Sequence, residues 1–520
     1  MLHTETNHYQ SAVSVYTNKL PLVLKSICVG ISSGIVVTLY RLLLTKAEEL
    51  SRLLYQYVAV HKEYLPLLFA CLLLLGVLVG YLVRRNRAIS GSGIPQVKGI
   101  LMGSYQAPWL STLIMKFVGG AVSIFAGLSL GREGPSIQLG ACIAQGVSDK
   151  MAKSRTEKRI LIAGGASAGL AAAFNAPLAG AMFAVEEIFK YISPLILLVT
   201  TASAIAADFV SKLVFGMAPV FSFPTPASIP LSAYWLLFLM GILLGCAGTL
   251  YNFMLVKTIS LYKKADWIKD IWRPVIPFLV AGILAFMFPA ALGGGHAMLG
   301  ELSTSTPIYS LVLMLIIKFI FSMLSFGSGA PGGIFFPLLI LGAIIGAIVG
   351  NIGTYIGIDP LLFNNFIIVA MAGYFAAIVR APLTGVVLLL EMTGSFENLL
   401  PLLIVSLSAY IIADLLRSKP IYDSLLENLL AGRVQGMRIH TQGKITVELP
   451  VHFDSHADGR KVKALGLPRE CLLIAIRREG KDIIPCGDTQ IAAEDSLIFL
   501  IQEMDEEILR SKLEQLTKSE

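Results

Sequence analysis

Asn175-Ala-Pro-Leu-Ala-Gly-Ala-Met-Phe-Ala-Val-Glu186 and Arg380-Ala-Pro-Leu-Thr-Gly-Val-Val-Leu-Leu-Leu-Glu391 carry one pattern in two halves of the chain: proline, an apolar run, and glutamate nine residues after the proline. A second match lies upstream of each, Gly131-Arg-Glu-Gly-Pro135 against Gly333-Ile-Phe-Phe-Pro337. These precede the later prolines by 42 and 45 residues. Two structural repeats follow, about 20–218 and 231–422. Transporters built from repeats hold their substrate at the interface between the halves. Spacing alone leaves open whether the repeats are parallel or inverted.

The 520 residues are 55% apolar and 14% charged, against roughly a quarter charged in a soluble domain. Leu65–Val83, Leu231–Val256 and Phe319–Ile358 contain no Lys, Arg, Asp or Glu, and each supplies the roughly 20 apolar residues that cross a bilayer. An all-α polytopic membrane protein is expected. Many apolar segments are interrupted by Gly and Pro after ten to fifteen residues, which predicts broken and re-entrant helices of the kind that mark ion sites. Residues 423–520 hold 13 Lys/Arg against 17 Asp/Glu, so the apolar part carries about +11 and the tail −4. The basic excess fits cytoplasmic loops such as Arg84, Arg85 and Arg87 better than nucleic-acid binding. Six scattered cysteines form no CxxC, and His452 and His456 stand without a third ligand, so no metal or cofactor is expected. No nucleophile is paired with a base, which argues against an enzyme. The first twenty residues are polar and show no signal-peptide pattern.

Three motifs share one design. In Gly91-Ser-Gly-Ile-Pro-Gln96, Gly131-Arg-Glu-Gly-Pro135 and Gly332-Gly-Ile-Phe-Phe-Pro337, glycines let backbone approach a ligand and proline starts a helix. The free N–H groups of such a start bind an anion through partial charges, without the trap that a buried Lys or Arg would make. Gly and Pro also bend and pack transmembrane helices; three such motifs in register with a repeat favour ion binding.

These motifs in this order, with the Asn175-Ala-Pro repeat and Lys419-Pro-Ile-Tyr422, closely resemble the CLC chloride channel and transporter family over residues 20–425. The resemblance implies an inverted-repeat homodimer with an anion pathway in each subunit, in a cell membrane and most simply a bacterial plasma membrane. It implies a central chloride held by the hydroxyls of Ser92 and Tyr422 and the backbone N–H groups of Ile334 and Phe335. Glu133 matches the family's gating glutamate. Ionised, it can occupy an anion site; protonated, it swings aside. Glu187, second of the Glu186-Glu187 pair, matches the glutamate that passes protons from the cytoplasmic side in family antiporters. Adjacent carboxylates can also raise each other's pKa. Glu187 favours proton–chloride exchange over the alternative, a passive chloride channel gated by Glu133. Ser92 stands where nitrate-handling relatives carry proline, which favours chloride. Glu391, the repeat mate of Glu186, is expected to serve structural pairing; Asp208, Asp414, Lys116 and Lys318 also lie within apolar runs.

After a linker at 426–440, short β-rich runs at 444–449, 471–477, 481–485 and 496–502 and a charged helix at 504–518 read as an α+β module, residues 441–520. It resembles the TrkA-C domain, the C-terminal half-module of regulators of potassium conductance. That resemblance implies a cytoplasmic regulatory domain that dimerises and takes a small regulator such as a cyclic dinucleotide, or one that only braces the dimer. A ligand sensor with transport as its output is the reading from a different class.

Overall fold

The computed structural model describes residues 19–221, 229–265, 269–431, 444–452, 455–468, 470–478, 481–502 and 506–517. The N-terminal segment and most of the expected linker lie outside them. The chain divides into two compact units, 1–432 and 433–520.

The first unit is helical: α1 Leu20–Val60, α2 Leu65–Arg85, α3 Ile94–Met102, α4 Trp109–Phe125, α5 Glu133–Met151, α6 Arg155–Phe174, α7 Pro177–Phe183, α8 Pro194–Phe215, α9 Tyr234–Lys264, α10 Val275–Met287, α11 His296–Glu301, α12 Ile308–Gly327, α13 Phe335–Tyr355, α14 Phe363–Val379, α15 Pro382–Thr393, α16 Leu399–Leu415 and α17 Ile421–Ala431. Helix α17 runs on into the stretch read as linker. Among the described residues, 8 helical segments are long and apolar enough to span a bilayer. Leucines and isoleucines along α1, α2, α9 and α12 are exposed, which suits lipid, whereas α13 and α14 are buried almost all round and form the centre.

Several helices are too short to cross. Nine-residue α3 reaches about 14 Å at 1.5 Å per residue, half of the roughly 30 Å hydrocarbon core. The repeated Asn/Arg-Ala-Pro motif shows how a break is made. Asn175 (φ 55°) and Arg380 (φ 69°) end α6 and α14 in the left-handed conformation, and Pro177 and Pro382 start α7 and α15 two residues later. Side chains hold both breaks: Arg41 Nη1 donates to Asn175 Oδ1 at 2.7 Å, and Arg380 donates to the carbonyls of Tyr410 and Ser418, each at 2.8 Å.

The repeats are related by a two-fold axis. Gly131 and Gly333, equivalent positions in the two halves, pair with each other as an antiparallel bridge, each N–H reaching the other's carbonyl at 2.7 Å. A pair of equivalent residues meeting in opposite directions requires a two-fold relation. Two further exchanges obey it. Glu186 accepts from the N–H of Leu383 at 3.1 Å and of Thr384 at 2.7 Å, at the start of α15. Reciprocally, Glu391 accepts from the N–H of Leu178 at 3.0 Å and of Ala179 at 2.8 Å, at the start of α7. Each half's glutamate thus caps the other half's broken helix, the structural pairing expected of Glu391. Lys116 and Lys318 are likewise mates: one donates to the carbonyls of Ile89 and Gly91, the other to those of Ala291 and Gly293.

The second unit is a four-stranded antiparallel sheet in the order β1-β4-β2-β3, from β1 Lys444–Pro450, β2 Leu472–Arg478, β3 Lys481–Ile483 and β4 Ser496–Gln502. Helix α18, Glu506–Thr517, follows. Val447, Leu449, Ile476, Leu497, Phe499 and Ile501 from the strands and Leu509 and Leu513 from α18 make its core, the alternation of a sheet buried on one face.

Candidate functional site

Backbone joins the three glycine motifs. Gly332 N–H donates to Gly91 O at 3.0 Å, tying Gly332-Gly-Ile-Phe-Phe-Pro337 to the Gly91 loop, and the Gly131–Gly333 bridge ties it to Gly131-Arg-Glu-Gly-Pro135. Gly91 (φ 65°) and Gly93 (φ 91°) give the loop its left-handed turns. Small residues allow the approach: a Cβ on Gly134 would stand 2.8 Å from Ser92 Cβ. The starts of α3, α5 and α13 therefore converge inside the protein, and all three are buried.

Ser92 is 1% exposed. Its Oγ accepts from the Ile94 N–H at 3.3 Å, which leaves its own proton to donate. Ile334 and Phe335 open α13, where the first N–H groups have no intrahelical acceptor. Phe335 is wedged between Phe174 and Phe375, ring centroids 5.3 and 4.7 Å away. Tyr422, at the start of α17, is completely buried, and among the described residues its hydroxyl has no hydrogen-bond partner. It packs edge-on against Phe183 at 6.4 Å and lies within electrostatic reach of both Glu133 and Glu187. Uncommitted O–H donors in an apolar interior suit a partly dehydrated anion.

Glu133 begins α5 and is fully buried. Among the described residues neither carboxylate oxygen has a hydrogen-bond partner, while the amides of Glu133 itself and of Phe336 lie close enough to favour its charge. The Arg132 Nε stands 4.0 Å away. A carboxylate is thus held against two helix starts, where an anion is favoured, without the paired bonds that normally offset burial of a charge.

Glu187 sits on a π-helical turn, Ala184–Phe189, that continues α7; such turns are frequent at functional sites. Its environment differs from the one its neighbour predicts. Glu186 points to the other repeat as a cap, while Glu187 turns inward, and Lys98 Nζ donates to its Oε1 at 2.8 Å. The partner of Glu187 is a buried cation, not the adjacent carboxylate. Lys98 also donates to Asp423, and Asp423 accepts from Lys190. Sequence reasoning passed over Lys98 and Asp423, although a lysine inside the apolar run Ile94–Leu101 was the available signal. Asp208 pairs with Lys212, and Asp414 with Arg380.

Comparisons with known proteins find relatives over most of the chain. The family model described as voltage gated chloride channel matches residues 75–414, and the TrkA-C domain model matches 446–512. The H(+)/Cl(−) exchange transporter ClcA of Klebsiella pneumoniae is 38% identical over 379 residues, 70% of this chain and 79% of that protein. The protein of the same name from Vibrio cholerae is 37% identical over 385 residues, 71% and 81% of the two chains. Among solved structures, a slow cyanobacterial Cl−/H+ antiporter matches with TM-score 0.75 and 31% identity, over 79% of this chain and 98% of that one. A eukaryotic CLC transporter matches with TM-score 0.68 and 25% identity, over 79% and 74%.

Proposed function

This chain belongs to the voltage gated chloride channel family, and from that premise we propose that it exchanges chloride for protons across a membrane with Glu133 as the group that both ions use. Chloride is held by the hydroxyls of Ser92 and Tyr422 and the N–H groups of Ile334 and Phe335. The Glu133 carboxylate competes for the same helix starts. A proton on Glu133 removes its charge and its claim on them, so that proton uptake and chloride entry become one event. Glu187 accepts the proton on the cytoplasmic side. One observation carries the reading: Glu133 is a fully buried carboxylate against the starts of α5 and α13 with neither oxygen hydrogen-bonded among the described residues.

The protein works as a homodimer in a lipid bilayer, a bacterial plasma membrane, with one pathway per subunit. The TrkA-C unit lies in the cytoplasm and takes a small regulator such as a cyclic dinucleotide; deleting 441–520 leaves transport intact and removes the response to that regulator. Reconstituted protein under opposed chloride and pH gradients tests the exchange. The expected reversal potential depends on both gradients, and Glu133→Gln is expected to keep chloride flux while proton movement stops. Chloride flux that leaves pH untouched in the unaltered protein would establish the passive channel instead. An intact coupling ratio in Glu133→Gln would remove Glu133 from the mechanism.

A further inference from the structure

Glu187, Lys98, Asp423 and Lys190 form one line of hydrogen-bonded charges. Lys98 Nζ donates to Glu187 Oε1 at 2.8 Å and to Asp423 Oδ1, and Lys190 Nζ donates to Asp423 Oδ2. Side-chain exposure rises along it, from 2% at Glu187 and 1% at Lys98 to 26% at Asp423 and 47% at Lys190. Asp423 is therefore the carboxylate that water reaches, Glu187 the one it does not, and the Lys98 ammonium is what lies between them. The line stands on the elements of the anion site: Asp423 follows Tyr422 in α17, and Lys98 lies on α3, which begins just after Ser92.

We propose that Asp423 and Lys98 are the proton entry to Glu187, with Lys98 as a relay that gives up and regains a proton. Lys98 passes one N–H proton to Glu187 Oε1, so that an N–H bond breaks and an O–H bond forms. The neutral amine left behind takes the proton that Asp423 has bound from hydronium on the aqueous side, which leaves Asp423 a carboxylate. One proton has then moved from water to Glu187, Lys98 is again an ammonium, and Asp423 is again free to bind the next. The transfer to Glu187 runs along the Lys98–Glu187 hydrogen bond already in place, and the transfer from Asp423 reverses the direction of the Lys98–Asp423 bond. Lysine suits the position because its ammonium, kept charged at rest by two flanking carboxylates, can pass a proton to one of them, whereas a guanidinium keeps its charge. A lysine that only tied two carboxylates together would be replaceable by arginine.

This inference rests on the reading of Glu187 as the inward proton acceptor, and Glu187→Gln tests that reading separately: unchanged proton flux there removes the acceptor, whatever Lys98 does. Given an inactive acceptor variant, full-length Lys98→Arg is reconstituted in vesicles and its chloride and proton fluxes are recorded together. The expected result is continuing chloride flux, which also reports a folded protein, with proton flux at least tenfold below the unaltered protein. Proton flux equal to the unaltered protein would make Lys98 a tie and overturn the relay. Asp423→Asn supplies an independent reading should arginine not fit. The expected outcome is again a proton flux at least tenfold lower with chloride still moving; an unchanged proton flux would mean that protons reach Glu187 by another path.

Discussion

Replacing Gly134 by alanine tests whether the anion site depends on the closeness of two backbones. Gly134 lies in the first turn of α5, and an added Cβ would stand 2.8 Å from Ser92 Cβ, 2.9 Å from Ser92 O and 3.1 Å from Ser92 Cα. Carbon atoms sit comfortably about 3.5–4.0 Å apart, so the two segments must separate by about 1 Å. The Gly91 loop cannot simply yield. Its Gly91 carbonyl accepts from Lys116 Nζ at 2.5 Å and from Gly332 N–H at 3.0 Å. A Cβ at Gly93 would stand 2.6 Å from Gln138 Cδ, and Gln138 Nε2 in turn donates to Ala88 O at 2.7 Å. Overpacking of this kind costs about 1–3 kcal/mol, against a gain of less than about 1 kcal/mol for alanine over glycine in a helix. The net expectation is a modest loss of stability.

At the proposed site the larger effect falls on chloride. A 1 Å displacement takes the Ser92 hydroxyl out of hydrogen-bond range, and a hydrogen bond to a charged partner contributes about 1.5–3 kcal/mol. At about 1.4 kcal/mol per decade, chloride binding weakens roughly tenfold to a hundredfold. Calorimetric titration of chloride into the purified protein measures this directly. Gly300→Ala is the control, since among the described residues nothing lies within 4 Å of the added carbon, and it should bind like the unaltered protein. Unaltered chloride affinity in Gly134→Ala would show that the convergence of α5 on the Gly91 loop is not what builds the site.

Glu391→Ala removes both side-chain acceptors of the Leu178 and Ala179 N–H groups. With Leu178 half exposed, water recovers part of the loss, leaving a cost of about 2 kcal/mol. The melting temperature in detergent should fall by several degrees while the proton-to-chloride ratio stays unchanged; a changed ratio would give Glu391 a part in transport. In the C-terminal unit, burial raises the pKa of Asp495, but hydrogen bonds from Arg478 and the Ala492 N–H outweigh it and hold the carboxyl below its usual value. A depressed carboxyl stabilises the fold above its unfolded pKa of about 3.9, and that contribution is lost as pH falls through the folded value. Protection of the β2 and β4 amides, taken relative to their intrinsic exchange rates, should therefore fall in acid, and Arg478→Gln should move that onset to higher pH. Identical onsets in the two proteins would separate Asp495 from the acid response.

The parts legible in the sequence are those where a residue type states a backbone requirement. Glycines at 91 and 93 announce left-handed turns, prolines at 177 and 382 announce helix starts, and the repeat spacing announces two halves. Spacing is a scalar and carries no direction, so the two-fold relation became visible only where Gly131 and Gly333 pair antiparallel. Side-chain partnership was hidden for a similar reason. Successive residues on a helix point about 100° apart, so adjacent glutamates were poor candidates for each other's company: Glu186 went to a helix start 198 residues away and Glu187 to a lysine 89 residues away. That lysine shares its nitrogen with Asp423, 325 residues distant, a distance no local pattern reaches. What the sequence does carry is the cost of each placement. A lysine on an apolar half-helix needs counter-charges to be buried at all, and the carboxylates that supply them here are those at the foot of the proposed anion site. The buried cation and the glutamate it pairs with are therefore one electrostatic unit, and a change of charge on either shifts the proton affinity of the other.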